Sequence, residues 1–254
     1  MKISSIIVIC VILLPAAVRA QESTARTYLA LYGGTGSLAV KDEFISLRKY
    51  SGTFSTFGAE WGTKQDSVKN SFGIEYQHGS NVRNNNSGAE VFHMRMIFDH
   101  QSFLKKISVF GNDADWYVGP AGIMAMHIRS QQVALKDEMY SDYMSFFLEN
   151  SIAVSTSVIM PMGGSWVINA GATMDVVTIG LRMIDNTKTE KDQMVKILFP
   201  WSNLNGRCDL GVEYRLSDDL SVSGKYMFQF VRNTAWNDLF IAVDNAVVRV
   251  SYVW

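Results

Sequence analysis

Four prolines and two cysteines in 254 residues are too few for a chain built on Pro-rich segments or on a disulfide framework. Cys10 lies near the start and Cys208 near the end, so beyond residue 20 no internal pair exists, whatever the redox compartment. Formal net charge is −1, which removes the electrostatic argument for nucleic acid as a partner. After Ala20 no apolar run approaches the ~20 residues that a membrane-spanning helix needs. Metal-ligand spacing is missing too. His93, His100 and His127 fall on separate segments, and no carboxylates stand at ligand spacing beside them. The glycines of YGGTGS (32–37) are followed by no Lys and no helical pattern, which excludes a phosphate loop. GNDAD (111–115) and SDD (217–219) have calcium-binding residue types, but such clusters are the ordinary chemistry of solvated turns.

What the chain does have is alternation. Aromatics make up 12% of the residues, and 19 glycines accompany them, a balance that favours strands. Residues 1–20, MKISSIIVICVILLPAAVRA, combine Lys2, an apolar run from Ile6 to Leu14 and small residues at Val18 and Ala20. That is the pattern of a secretory signal peptide cut after Ala20, and its apolar run is too short to span a bilayer. Cys10 lacks the small-residue context of a lipidation site. Residues 21–254 then form a single domain, with no internal repeat or linker.

The clearest strands lie near the end. In CDLGVEYRL (208–216), Leu210, Val212, Tyr214 and Leu216 share one face, against Asp209, Gly211, Glu213 and Arg215. In LSVSGKYMFQF (220–230), Leu220, Val222, Tyr226, Phe228 and Phe230 oppose Ser221, Ser223, Lys225 and Gln229. Successive strand residues point to opposite faces, so each segment has one apolar and one polar side. The chain closes on NAVVRVSYVW, where Ala246, Val248, Val250, Tyr252 and Trp254 form one set and Asn245, Val247, Arg249, Ser251 and Val253 the other.

This terminal strand, ending on an aromatic, resembles the last strand of bacterial outer-membrane barrels. That resemblance implies an all-β fold, an up-and-down antiparallel transmembrane β-barrel, with its apolar face toward lipid and its polar face inward. It also implies two partners: outer-membrane lipids, and the barrel-assembly machinery, which would read the strand ending at Trp254. Ten strands are expected, at 26–35, 53–63, 69–80, 88–98, 114–127, 141–157, 165–181, 206–216, 219–231 and 242–254. The outer loops are then 36–52, 81–87, 128–140, 182–205 and 232–241, mostly long, while the inner turns are mostly short, as in porin-like barrels. The long inner connection 99–113, or the stretch 38–50, has room for a further hairpin, so twelve strands is the alternative. Glu60, Glu75, Arg95, Asp175, Asp209, Glu213, Arg215, Lys225 and Arg249 face the interior and are expected to pair in a network that plugs it.

One stretch carries possible chemistry. In SFGIEYQHGSNVRNNNSGAE (71–90), Phe72, Ile74 and Tyr76 continue by twos into His78 and Ser80. On the return strand Glu90 shares a face with Phe92, Met94 and Met96, whereas His93 and Arg95 point inward. His78, Ser80 and Glu90 are therefore expected on one outer face, at the outer end of one hairpin. A Ser hydroxyl needs a neighbouring imidazole to take its proton, and a carboxylate can orient that imidazole. His78-Gly79-Ser80-Asn81 resembles the H-x-S-N signature of outer-membrane phospholipase A and of the lipid A deacylases. That resemblance implies Ser80 as nucleophile, His78 as base and Glu90 as its orienter, acting on lipid esters. The competing reading is a polar hairpin tip, where Gly, Ser and Asn suit the turn and His and Tyr suit the interface.

Three functions follow. The first is a non-enzymatic barrel that acts in envelope structure or in binding through outer loops, the loop 182–205 with Phe199, Pro200 and Trp201 foremost. The second is a lipid esterase using His78, Ser80 and Glu90, and the third is a narrow channel. No cofactor is expected, except calcium under the esterase reading.

Overall fold

Alternation of the kind seen at 208–230 runs through nearly the whole chain and makes it a sheet of long strands. The computed structural model describes residues 25–42, 46–65, 67–84, 87–134, 140–186, 193–235 and 239–254; the expected leader, residues 1–20, lies outside them. The strands are β1 (Arg26–Asp42), β2 (Ser46–Lys64), β3 (Val68–Asn84), β4 (Ser87–Val109), β5 (Asn112–Ala134) and β6 (Tyr140–Pro161). They continue with β7 (Trp166–Asn186), β8 (Gln193–Leu198), β9 (Asn203–Arg215), β10 (Leu220–Asn233) and β11 (Leu239–Val253). Consecutive strands pair antiparallel, except that β8 and β9 both pair with β7, and β1 pairs with β11 from Tyr28↔Val253 to Asp42↔Leu239, which closes the sheet into a ring. Among the described residues closure pairs the strands of that ring on both sides, while β8 pairs with β7 alone.

All ten expected strands are present, and the twelve-strand alternative is not adopted among the described residues. The 99–113 stretch is not an extra hairpin but the continuation of β4 into β5 through a two-residue turn, Phe110–Gly111. Both turn residues are left-handed, with φ of 50° and 80°. This is the primed geometry that matches strand twist, with Gly111 at one of its two positions and, unusually, an aromatic at the other. The expected loop 182–205 is partly strand as well. There β8 pairs with Thr178–Met183 of β7 and β9 with Trp166–Met174, so the two act as one strand interrupted around Phe199–Ser202.

The wall changes character along its length. Near the short turns and through the middle, apolar side chains point outward: Leu31, Trp61, Ile152, Leu210 and Val248 are each more than half exposed. Trp61, Trp166, Tyr214, Tyr252 and Trp254 lie toward the turn end of this band. Phe57, Tyr76 and Phe228 lie toward the other end, as expected of interfacial aromatic girdles.

Beyond the outer girdle the pattern inverts. The outward set becomes Lys49, Ser51, Thr53, Arg83, Glu90 and Arg232, all exposed. The inward set becomes a buried apolar cluster that includes Leu38, Val40, Tyr50, Phe54, Val91, Phe147, Val231, Ile241 and Val243. Strands of 17 to 23 residues in β1 to β7 exceed the ~9–11 that cross a bilayer, so the outer end stands in water. A barrel in water must bury its apolar side chains inside itself, and this one does.

Candidate functional site at the outer wall

His78 and Ser80 come from β3 and Glu90 from β4, and the alternation that turns Ile74 and Tyr76 outward carries His78 with them. His78 Nε2 lies 2.8 Å from Glu90 Oε1. The pair is open to the outside, with the two side chains 37% and 61% exposed. Tyr76 stacks against the imidazole at 6.4 Å between centroids and meets Phe92 edge-on at 5.1 Å. The imidazole thus has an aromatic support toward the membrane band and a carboxylate partner above it.

Between Gly79↔Val91 and Val82↔Ala89 the β3–β4 register shifts, which makes Ser80–Asn81 a bulge opposite Glu90. Ser80 is exposed on the same side as His78, but no hydrogen bond joins them among the described residues. The structure therefore brings together two members of the expected trio and puts the third beside them, unlinked. Glu90 engages Nε2 of His78, so Nδ1 is its other ring nitrogen, on the side away from that carboxylate. Bulges commonly re-aim side chains beside functional sites, and catalytic hydrogen bonds often tighten only when substrate is bound.

Inside the barrel some of the expected charges pair, but around an open cavity and not as a plug, and Arg95 keeps its Nε and Nη1 buried without a hydrogen bond. Arg249 holds Glu60 through both terminal nitrogens at 3.1 and 3.2 Å, and Tyr28 donates to the same carboxylate at 2.6 Å. Lys225 meets Asp209 at 2.9 Å, and Arg207 meets Glu75 at 3.2 Å. Together with Lys69, Asp99 and Gln101, all of these but Glu75 line a cavity of about 680 Å³ that opens among the short turns, beside Gln65 and Ser217–Asp219. Further out, His93 and His127 stack at 4.0 Å, His127 Nε2 lies 3.3 Å from Glu149, and Asn205 donates to both Glu149 and Asp175 at 3.0 Å.

In the sequence these two histidines lie on different strands, β4 and β5, far apart along the chain. Their shared inward parity, His93 with Arg95 and His127 with Ala125, was the signal that could have joined them. Above this layer sits the apolar cluster, with only a small void of about 40 Å³ between Phe54, Phe147 and the two histidines. A narrow channel would have to pass this cluster, whose described side chains are buried and apolar.

No protein-family model matches the sequence, and no curated protein matches it. Solved structures do share the architecture. The chain is similar to the outer membrane protease OmpT from Escherichia coli, with TM-score 0.53 and 5% identity, over 91% of this chain and 96% of that one. It is also similar to the translocator domain of the autotransporter NalP from Neisseria meningitidis, with TM-score 0.54 and 10% identity, over 98% and 96% of the two chains. Likeness at such identities shows the fold alone. This chain has the fold of the small outer-membrane β-barrels, a closed antiparallel ring of ten strands.

Proposed function

We propose that the chain is an integral outer-membrane β-barrel, exported by its N-terminal leader, which acts at its outer end and not as an open pore. The observation that carries this reading is the apolar cluster of Leu38, Phe54, Phe147, Ile241 and Val243, which fills the interior beyond the membrane band. It favours a non-enzymatic role, structural or in binding, for a rim that presents the stacked pair Phe199–Trp201 (4.8 Å) to the outside. Planar-bilayer recordings on refolded protein test it. No stepwise conductance is expected, and steady unitary currents would overturn the closed-barrel reading.

A second reading, hydrolysis of lipid esters, is favoured by one specific observation, the 2.8 Å pair of His78 and Glu90 beside Ser80. The Ser80 hydroxyl would attack the ester carbonyl while the imidazole of His78 takes its proton, and Glu90 would hold the ring and stabilise its charged form. Collapse of the tetrahedral adduct would expel the alcohol, which picks up that proton. Water, activated by the same imidazole, would then release the fatty acid and restore Ser80. Calcium enters only under this reading. The test is fatty-acid release from mixed phospholipid and lipopolysaccharide, with and without calcium, by wild type and by Ser80→Ala. Release that disappears in the variant supports hydrolysis; release that persists removes it.

A further inference from the structure

Four of the 13 methionines occupy a single block of the outer wall. Met94 and Met96 share the outward parity of β4, and Met124 and Met126 that of β5. The register sets Met94 opposite Met126 and Met96 opposite Met124. Met124 is 38% exposed and the other three are half-buried. On one side Tyr76 of the outer girdle is opposite Met94, and Ile74 is opposite Met96. On the other side Met126 meets Leu148 and Met124 meets Asn150. The block therefore lies at the outer end of the lipid-facing band.

Folding does not ask for methionine in these places. Lipid-facing positions elsewhere carry Leu31, Ile152, Val154, Leu210 and Val248, and β-branched and aromatic residues are the types that suit strands. Among the described residues no other two methionines are register partners. Opposite β-carbons stand about 4.5–5.5 Å apart, and residues two apart on one strand about 6.6 Å apart. Each β-carbon of the block is then roughly 4 Å from its centre. The methionine side chain is unbranched, turns about three bonds and ends in a polarizable thioether, so all four sulfurs can swing over that centre. Asn150 is exposed beside Met124 and has no hydrogen-bond partner among the described residues. A carboxamide in such a place stays hydrated, so water, and an ion carried in it, reaches the edge of the block.

We propose that Met94, Met96, Met124 and Met126 form a site for a soft monovalent metal ion, Cu(I) or its heavier congener Ag(I). Thioether sulfur is a soft, uncharged ligand that selects such ions over hard cations. Binding moves no proton and changes no oxidation state. The proposal goes beyond the closed-barrel reading and uses neither His78 nor Ser80.

The experiment titrates the detergent-refolded mature chain with silver nitrate in chloride-free buffer, followed by calorimetry. Every arm carries Cys208→Ser, because that exposed thiol, the one cysteine beyond the leader, binds the same ion. The Cys208→Ser protein should bind Ag(I), and adding Met94→Leu/Met96→Leu/Met124→Leu/Met126→Leu should weaken that binding at least about tenfold. Leucine conserves volume and suits the lipid face, so the quadruple variant should keep its heat-dependent gel shift. Met144→Leu/Met174→Leu removes two thioethers that are each 47% exposed but lie outside the block, and should leave binding unchanged. No Ag(I) binding, binding that survives the quadruple substitution, or equal loss in the Met144/Met174 variant overturns the proposal. So does Zn(II) bound as tightly as Ag(I). Should the quadruple variant fail to fold, X-ray absorption of the silver complex decides: a first shell of sulfur alone supports the site, and nitrogen or oxygen ligands overturn it. Conductance recordings play no part in these readouts, so their outcome is distinct from that of the closed-barrel reading.

Discussion

Inversion of the wall makes a sharp prediction about where a lysine can be tolerated. Val248 is 60% exposed and lies midway between the two aromatic girdles, so Val248→Lys puts a charge near the bilayer midplane at a cost of about 2–4 kcal/mol. Thr53 faces outward too, but beyond the band; Thr53→Lys should cost no more than about 1 kcal/mol. Inside the barrel the order reverses. Val243 is 4% exposed within the outer apolar cluster, and an unpaired ammonium there should cost several kcal/mol, on the order of 3 or more. Ser223 lines the wet cavity and is opposite Glu213, so Ser223→Lys should cost at most about 1 kcal/mol. Denaturant titration of each variant folded into vesicles, followed by tryptophan fluorescence and the gel shift, measures all four. If Thr53→Lys proved as costly as Val248→Lys, or Val243→Lys as mild as Ser223→Lys, the inversion would be wrong.

Three further outcomes test the wall and its interior. Phe110→Asn should raise stability by about 0.5–1 kcal/mol, read as a higher denaturant midpoint, because a β-carbon at φ 50° is strained and Asn suits the first position of this turn. Glu60→Ala strands Arg249 and should cost about 2–3 kcal/mol, less than in a dry core because the cavity admits water. The double variant Glu60→Ala/Arg249→Ala should cost clearly less than the two singles added, and strict additivity would deny the pairing. Gly36→Val should prevent closure, because a β-carbon there meets the Asp244 carbonyl across the β1–β11 seam; a variant that still gives the compact gel band counts against that packing.

How much of this was legible in the sequence depends on which stretch is read. β9 and β10 follow one parity throughout, and their outward and inward faces match the residues alone. β1 shows why the strands are longer than single-face alternation predicts. Its apolar residues are Leu29 and Leu31 on the outward parity, then Leu38 and Val40 on the inward one, and the change falls across Gly33–Gly36. β11 does the same in the opposite chain direction, from Leu239, Ile241 and Val243 inward to Val248, Val250 and Tyr252 outward. A single-face template loses the strand where the greasy face changes sides, so stretches such as 36–42 and 128–134 looked like loop although they are strand. β8 was hidden for another reason. The turn at Phe199–Ser202, closed by Ser202 and Asn203 amides on the Phe199 carbonyl, separates it from β9, and nothing in six residues announces which neighbour they pair with.

The same logic explains the candidate site. On β3 the outward residues are Ile74, Tyr76, His78 and Ser80, and simple alternation would send Val82 outward as well. The extra residue in the Ser80–Asn81 bulge reverses the parity, so Val82 is fully buried in the outer cluster and Arg83 is exposed. The bulge therefore lies where the wall must change from apolar-out to apolar-in. It also widens β3 opposite Glu90 and lets that carboxylate reach diagonally to His78. Exchange of the apolar and polar faces needs no break in alternation, since β10 and β11 make it by residue type alone, whereas β3 makes it through the bulge. Here one such change falls beside a His, a Ser and a Glu. The bulge thus serves the burial of Val82 whether or not it is used in chemistry, and for that reason only the Ser80→Ala comparison, and not the shape of the hairpin, can separate an esterase from a polar rim.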